Sequence, residues 1–125
     1  MFDLTVIKRN GNGYIDSREV AELIGKQHGH LMRDIRGYVK TMEKITQSNF
    51  GVSDFFLESA YFDSTGRTLP CYLLSKMGCE MVANKLTGEK GILFTAVYVA
   101  KFNEMEAVER AAMNASREPR LGEYN

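Results

Sequence analysis

The stretch from Ser17 to Ile45, SREVAELIGKQHGHLMRDIRGYVKTMEKI, predicts two helices joined by a tight turn. Ser17 is a good N-cap for the first helix, and Gly25 is well placed to end it in a left-handed conformation. One stripe of the second helix is apolar: Leu31, Ile35, Tyr38, Val39 and Met42. A second stripe is basic, with steps of three and four residues: Arg33, Arg36, Lys40 and Lys44. We expect the apolar face to pack and the basic face to meet phosphate.

A helix-turn-helix requires this arrangement, because the first helix braces the second and the second presents side chains to a groove of DNA. The same pattern is typical of two short amphipathic helices whose basic face is simply solvated. The stretch alone leaves both interpretations open.

Length and composition limit the classes of protein to consider. A chain of 125 residues with 44% hydrophobic content predicts one domain with a modest core. No run of 18 apolar residues and no basic segment before an apolar one occurs, so we expect neither a membrane span nor a secretion signal. Cys71 and Cys79 are therefore expected to be reduced core residues.

The net charge is zero, since 16 basic residues balance 16 acidic ones, but the charges are unevenly distributed. Between Lys26 and Lys44 there are five basic and two acidic residues, which gives this segment a net charge of +3. The compensating acidic residues lie elsewhere: Asp54, Glu58, Asp63, Glu104, Glu106 and Glu109. A local basic face therefore remains in a neutral protein.

The rest of the chain predicts an α+β fold of the winged helix-turn-helix type. An N-terminal hairpin is expected from a strand at 4–8, the turn Asn10-Gly11-Asn12-Gly13 and a return strand at 14–16. Strands at 55–62 and 68–74 flank a turn at 64–67 and form a candidate wing, in which Pro70 indicates an edge strand. Ser75 can cap a third helix. A loop is expected to begin at residue 46. Residues 1–113 are expected to form one domain, and residues 114–125 a flexible tail.

A fourth, long helix is predicted from Glu89 to about Met113. Its first half is apolar on nearly all sides, which favours burial against more than one neighbour and therefore a homodimer. The candidate oligomerisation residues are Leu93, Phe94, Val97, Tyr98, Phe102 and Met105. The alternative is that this helix lies at the centre of a small core.

Spacing argues against a metal site or a nucleophilic enzyme. His28 and His30 lie two apart on one helix and point different ways, and neither C-x-x-C nor H-x3-5-H occurs. No G-x-S-x-G or phosphate-binding glycine motif is present. We therefore expect no catalytic residues, no metal and no cofactor.

The sequence resembles phage regulatory proteins of the Rha family from about residue 5 to residue 106. The matching residues near the helix pair are Ser17, Val20, Ala21, Gly25, Lys26, His28, Leu31, Arg33, Asp34 and Ile35. Further matches follow in order: Ser48, Asn49, Phe50, Phe55, Ser59, Tyr61, Gly66, Pro70, Tyr72, Leu73, Leu74, Gly78, Gly88, Phe102, Asn103, Met105 and Glu106. The resemblance implies a phage or prophage regulator with a winged-helix-like DNA-binding domain, acting in the cytoplasm of a bacterial host.

Two functions follow as hypotheses. The first is a dimeric regulator that binds double-stranded DNA, with these contact residues: Lys26, His28, His30, Arg33, Arg36, Lys40, Lys44 and Arg67. Here the alternative is that Arg33 and Arg36 pair with carboxylates on the protein surface. The second is an antirepressor or an inhibitor of a host defence complex, which binds a phage or host protein. The acidic wing favours the second hypothesis, because a wing that contacts the DNA backbone usually carries Lys or Arg.

Overall fold

Two β-hairpins form one antiparallel sheet with four α-helices around it in residues 3–45 and 51–117, the part that this computed structural model describes. The strands are β1 (Val6–Arg9), β2 (Asn12–Asp16), β3 (Phe56–Phe62) and β4 (Thr68–Leu74). The helices are α1 (Ser17–Ile24), α2 (His28–Met42), α3 (Lys76–Asn84) and α4 (Gly88–Arg117). A single 3-10 turn lies at Val52–Asp54. The predicted α+β class, with an N-terminal hairpin, a wing hairpin and a long C-terminal helix, is confirmed.

The N-terminal hairpin turns at Asn10 and Gly11, which both have positive φ angles, 54° and 82°. Two left-handed central residues match the right-handed twist of the flanking strands, which explains the asparagine and the glycine. Arg9 pairs with Asn12 at the turn. The hairpin was predicted correctly, but β1 begins two residues later than expected and β2 begins two residues earlier.

The wing hairpin, β3 and β4, joins the sheet through β4. The strand order is β1-β2-β4-β3, and β4 pairs with β2 only at its end, where Leu73 and Leu74 lie opposite Asp16 and Ile15. The prediction from Pro70 of an edge strand is therefore wrong for β4 as a whole. Pro70 pairs with β3 alone, however, so the missing N–H falls where β4 has no second strand beside it.

The helix pair forms as predicted, with one correction at its start. Asp16, not Ser17, is the N-cap of α1, and its carboxylate accepts the backbone N–H of Arg18. Ser17 is instead the first helical residue and is completely buried. Gly25 ends α1 with a φ of 70°, as the sequence predicted.

The second helix pair closes the core. Ser75 caps α3 by accepting the N–H of Gly78, and a Cβ at Gly78 would lie 2.2 Å from the carbonyl oxygen of Phe55. Cys71 and Cys79 are both free and buried, as expected. α4 continues to Arg117, so residues 114–117 are helical and not part of a tail. Of the loop predicted at 46–54, residues 46–50 lie outside the described residues, as does the remainder of the predicted tail.

α4 is the central helix of the subunit, which corrects the interpretation of its apolar surface. Phe94, Tyr98 and Phe102 are buried in the same core cluster as the apolar residues of α1 and α2. Val97 and Met105 pack against this cluster from its edge. The alternative interpretation of the sequence therefore describes this helix better, because the subunit itself covers most of the apolar residues that predicted a partner.

Candidate nucleic-acid interface

The basic stripe of α2 lies opposite the buried face of the helix. Leu31, Ile35 and Met42 are buried, whereas Arg33, Arg36 and Lys40 are exposed. Lys44 is also exposed, but α2 ends at Met42, so the prediction that Lys44 lies on this helix is wrong. Five ion pairs occur in the described residues, and none includes a member of the stripe. The alternative that Arg33 and Arg36 pair with nearby carboxylates is therefore not what this structure shows.

Two glycines lie within the basic stripe. Gly29 precedes Arg33 by four residues, and Gly37 follows Arg33 by four. A Cβ added at either glycine would meet nothing within 4 Å, so no internal contact requires them. A helical glycine costs about 1 kcal/mol relative to alanine. Because glycine has no side chain, α2 protrudes less between the basic side chains, and the backbone of another molecule can approach it closely there.

Lys26 and Arg67 differ from the stripe because each is held by a carboxylate. Lys26 Nζ lies 2.8 Å from Asp34 Oδ2. Arg67 donates from Nε to Asp63 Oδ2 over 2.9 Å, and the same carboxylate accepts the backbone N–H of Arg67. The hydrogen bond from the Thr65 hydroxyl, together with these bonds from Arg67, lowers the pKa of Asp63. Both predicted contact residues therefore carry compensated charges.

The two histidines occupy different environments. His30 is exposed, whereas His28 is half-buried and its Nε2 lies 2.8 Å from Ser17 Oγ. Ser17 Oγ also accepts the backbone N–H of Tyr72 over 3.0 Å, so this contact joins α1, α2 and β4. Burial is the main cause that lowers the pKa of His28. Burial therefore favours the neutral imidazole, and Ser17 provides it with an internal hydrogen bond.

The Ser17–His28 pair also has the distance of a nucleophile and its base. Ser17 is fully buried, however, and its oxygen already accepts an amide N–H. Burial likewise raises the pKa of the Cys79 thiol, which disfavours the reactive thiolate. Within residues 3–45 and 51–117, no group of three or more His, Cys, Asp or Glu side chains is placed to hold a metal.

Sequence reasoning missed Arg18, which lies beside the N-terminus of α2. Its guanidinium donates from Nε to Asp16 Oδ1 (3.1 Å) and from Nη2 to Asp16 Oδ2 (2.8 Å). Its Cζ lies 3.9 Å from the centre of the Tyr61 ring, in β3. The Tyr61 ring also lies edge-on to His28, with 6.1 Å between the ring centres. Asp16 and Arg18 lie two residues apart in the sequence, but no local signal indicated Tyr61.

On α4, the subunit itself covers most of the predicted oligomerisation residues, at least in part. Of the predicted oligomerisation residues, Phe94, Tyr98 and Phe102 are buried, Val97 and Met105 are half-buried, and Leu93 is exposed. Ile92, the neighbour of Leu93, is 73% exposed. None of the helices in the described part of the chain is both long and apolar enough to cross a membrane.

A helix pair with a basic second helix beside a β-hairpin defines the class of winged helix-turn-helix-like proteins. A family model described as phage regulatory protein Rha matches residues 15–107, and the chain belongs to this family. The resemblance found in the sequence is thereby confirmed. The protein is a phage regulatory protein.

Two relatives extend the comparison. The chain is 53% identical over 108 residues to the "SPbeta prophage-derived putative antirepressor protein YoqD" of Bacillus subtilis, covering 86% of this chain and 42% of that protein. It is 29% identical over 90 residues to an "Uncharacterized protein" of Haemophilus influenzae, covering 72% of this chain and 50% of that protein. The chain thus spans half or less of each relative. No solved structure matches it.

Proposed function

We propose that this protein is a sequence-specific DNA-binding regulator of phage or prophage transcription, with α2 in the major groove. The observation that carries the proposal is the exposed face of α2, on which Arg33, Arg36 and Lys40 lie around Gly29 and Gly37. None of these three side chains takes part in an ion pair among the described residues. Solvation alone explains the basic residues, but it does not explain helical glycines that no contact inside the subunit requires.

The length of the stripe suits a DNA groove. From Gly29 to Met42, the last residue of α2, the helix rises about 20 Å, at 1.5 Å per residue. Residues near the N-terminus of a recognition helix contact base edges, and later residues contact phosphates. We therefore assign His30, Arg33 and Arg36 to the bases, and Lys40 and Lys44 to the backbone.

The ion-paired residues receive smaller roles. Lys26 and Arg67 can bind phosphate only if their ion pairs with Asp34 and Asp63 are shared with the phosphate or broken. Each of them therefore contributes less to DNA affinity than a residue of the basic stripe. His28 contributes mainly through its hydrogen bond to Ser17.

We also propose that residues 1–113, together with the rest of α4, act as one domain and dimerise through the exposed start of α4. Ile92 and Leu93 are the large apolar side chains left uncovered there. Two recognition helices related by a two-fold axis would bind half-sites about one helical turn apart. Sedimentation at micromolar concentration tests this: a dimer that Ile92→Glu dissociates supports it, and a monomeric parent contradicts it.

A second function, as an antirepressor that binds a protein, is favoured by the wing. In the hairpin from Phe56 to Leu74, Arg67 is the only basic residue, and Asp63 compensates its charge. Phe62 is 75% exposed beside the turn, and Glu58 is exposed on the same strand. The Bacillus subtilis relative carries the word antirepressor in its name.

The test of DNA binding is enrichment of sequences from a randomised duplex pool, followed by fluorescence anisotropy at two salt concentrations. The Arg33→Ala/Arg36→Ala variant should lose the enriched sequence preference. The matched control is Arg9→Ala/Arg110→Ala, which removes two exposed arginines from β1 and α4 and should bind like the parent. A parent protein that enriches no sequence would contradict the proposal and favour the antirepressor function.

A further inference from the structure

We propose that Arg18 is an additional DNA contact, which Asp16 and Tyr61 hold in position to bind the phosphate strand between α2 and the wing. The inference rests on the proposed function, because it requires α2 to enter a major groove. It adds a residue from α1, outside the basic stripe, to the interface.

The guanidinium of Arg18 is fixed on two sides. Asp16 accepts from Nε and Nη2, and the ring of Tyr61 lies against the guanidinium at 3.9 Å. A guanidinium has five N–H donors, so about three remain after these two hydrogen bonds. The side chain of Arg18 is 45% exposed. The remaining donors are therefore available to a ligand in a geometry that is set before binding, which limits the entropy lost on association.

The position of Arg18 indicates which part of DNA it would meet. Tyr61 belongs to the wing and also contacts His28, the first residue of α2. Arg18 therefore lies where the wing meets the N-terminus of the recognition helix. If α2 occupies a major groove and the wing lies over the adjacent minor groove, a sugar–phosphate strand separates them. A side chain at this junction would face that strand.

Electrostatics support this placement. Burial is the main cause that lowers the pKa of His28, and the positive charges of Arg18 and Arg36 lower it further. Arg18 and His28 both contact the Tyr61 ring, so Arg18 lies close to the first residue of α2. Asp16 offsets part of the charge of Arg18. Arg18 would therefore contribute to DNA binding more through directional hydrogen bonds than through long-range attraction.

The experiment measures anisotropy of two labelled duplexes of equal length, one enriched by the parent protein from a random pool and one unrelated. Arg18→Ala should bind both about tenfold more weakly, which is the lower end for hydrogen bonds to charged groups. The slope of log K against log salt should flatten by up to about 0.9. Arg110→Ala, which removes an exposed arginine from α4, should match the parent.

Tyr61→Leu tests the positioning role, since it keeps an apolar strand residue but removes the ring beneath the guanidinium. It should weaken binding about threefold, and the Arg18→Ala/Tyr61→Leu double variant should bind no worse than Arg18→Ala alone. Arg18→Lys keeps the charge but lacks the planar donors, so it should not restore full affinity.

Circular dichroism melting checks that the variants fold. If Arg18→Ala does not fold, Arg18→Lys and Tyr61→Leu decide whether Arg18 contacts DNA. Parent-like affinity of the folded Arg18 variants would overturn the inference. Loss on the enriched duplex alone would also overturn it, because that result indicates a base contact. If the parent binds neither duplex, the proposed function itself fails.

Discussion

Replacement of Gly37 by alanine should make the fold more stable and the proposed DNA complex weaker. Gly37 lies in the middle of α2, and a Cβ there would meet no atom within 4 Å. The alanine therefore gains helix propensity of about 1 kcal/mol without a clash. For a domain of this size, that gain raises the midpoint of thermal unfolding by roughly 3–5 °C.

The loss of DNA affinity follows from the same added methyl group. If a DNA strand approaches the helix at Gly37, the Cβ displaces it by about 1.5 Å, one carbon–carbon bond. Hydrogen bonds from nearby Arg33 to a base do not survive a shift of this size, since N–H···O distances span about 2.7–3.2 Å. Loss of one bidentate base contact costs about 1–3 kcal/mol, or roughly 5- to 150-fold in affinity.

Circular dichroism melting and fluorescence anisotropy measure the two effects on the same variant. Gly78→Ala is the contrasting control, because its Cβ would lie 2.2 Å from the carbonyl oxygen of Phe55 and must destabilise the fold. A Gly37→Ala protein that melts higher but binds DNA like the parent would refute the close approach of DNA. One that melts lower would show that Gly37 has a conformational role inside the subunit.

Three other predictions concern Lys40, His28 and the buried side chain of Phe94. Lys40→Ala should weaken binding to all duplexes alike and flatten the salt slope by about one unit, measured by anisotropy across a salt series. His28 has a lowered pKa in the folded state, so its contribution to stability is full above about pH 6.5 and is lost as the pH falls through the folded pKa. The free energy of unfolding, measured by urea titration, should therefore fall as the pH drops below about 6.5, and His28→Gln should flatten that dependence. Phe94→Ala should destabilise the subunit by about 3–5 kcal/mol whatever the protein concentration, because Phe94 is fully buried within one subunit.

The elements of this fold could be predicted from the sequence where their signals are local. Asn10-Gly11 specifies a turn with two positive φ angles, and Gly25 and Ser75 mark a helix end and a helix start. Each signal acts within a few residues, so the helix pair and both hairpins were found within about two residues of their true ends. The basic stripe of α2 was found for the same reason, because its spacing is a property of one helix.

Contacts between distant elements could not be predicted in this way. The apolar residues of α4 were identified correctly from the sequence, but helical periodicity does not indicate which neighbouring elements cover them. The subunit itself covers Phe94, Tyr98 and Phe102, since α1, α3 and β1 all pack against α4. Likewise, nothing in the sequence connects Arg18 with Tyr61, which lies 43 residues further along the chain.

Asp16 and Ser17 connect the scaffold with the proposed interface. Ser17 joins the first residue of α2 to the backbone of β4, while Asp16 holds Arg18 against the wing. Both are buried, and moving α2 relative to the wing would leave a buried polar group without its partner, at a cost of about 1–3 kcal/mol. The relative position of α2 and the wing is therefore set in the free protein, before the proposed binding of DNA. We accordingly expect association without a slow conformational step, because the binding surface is already formed.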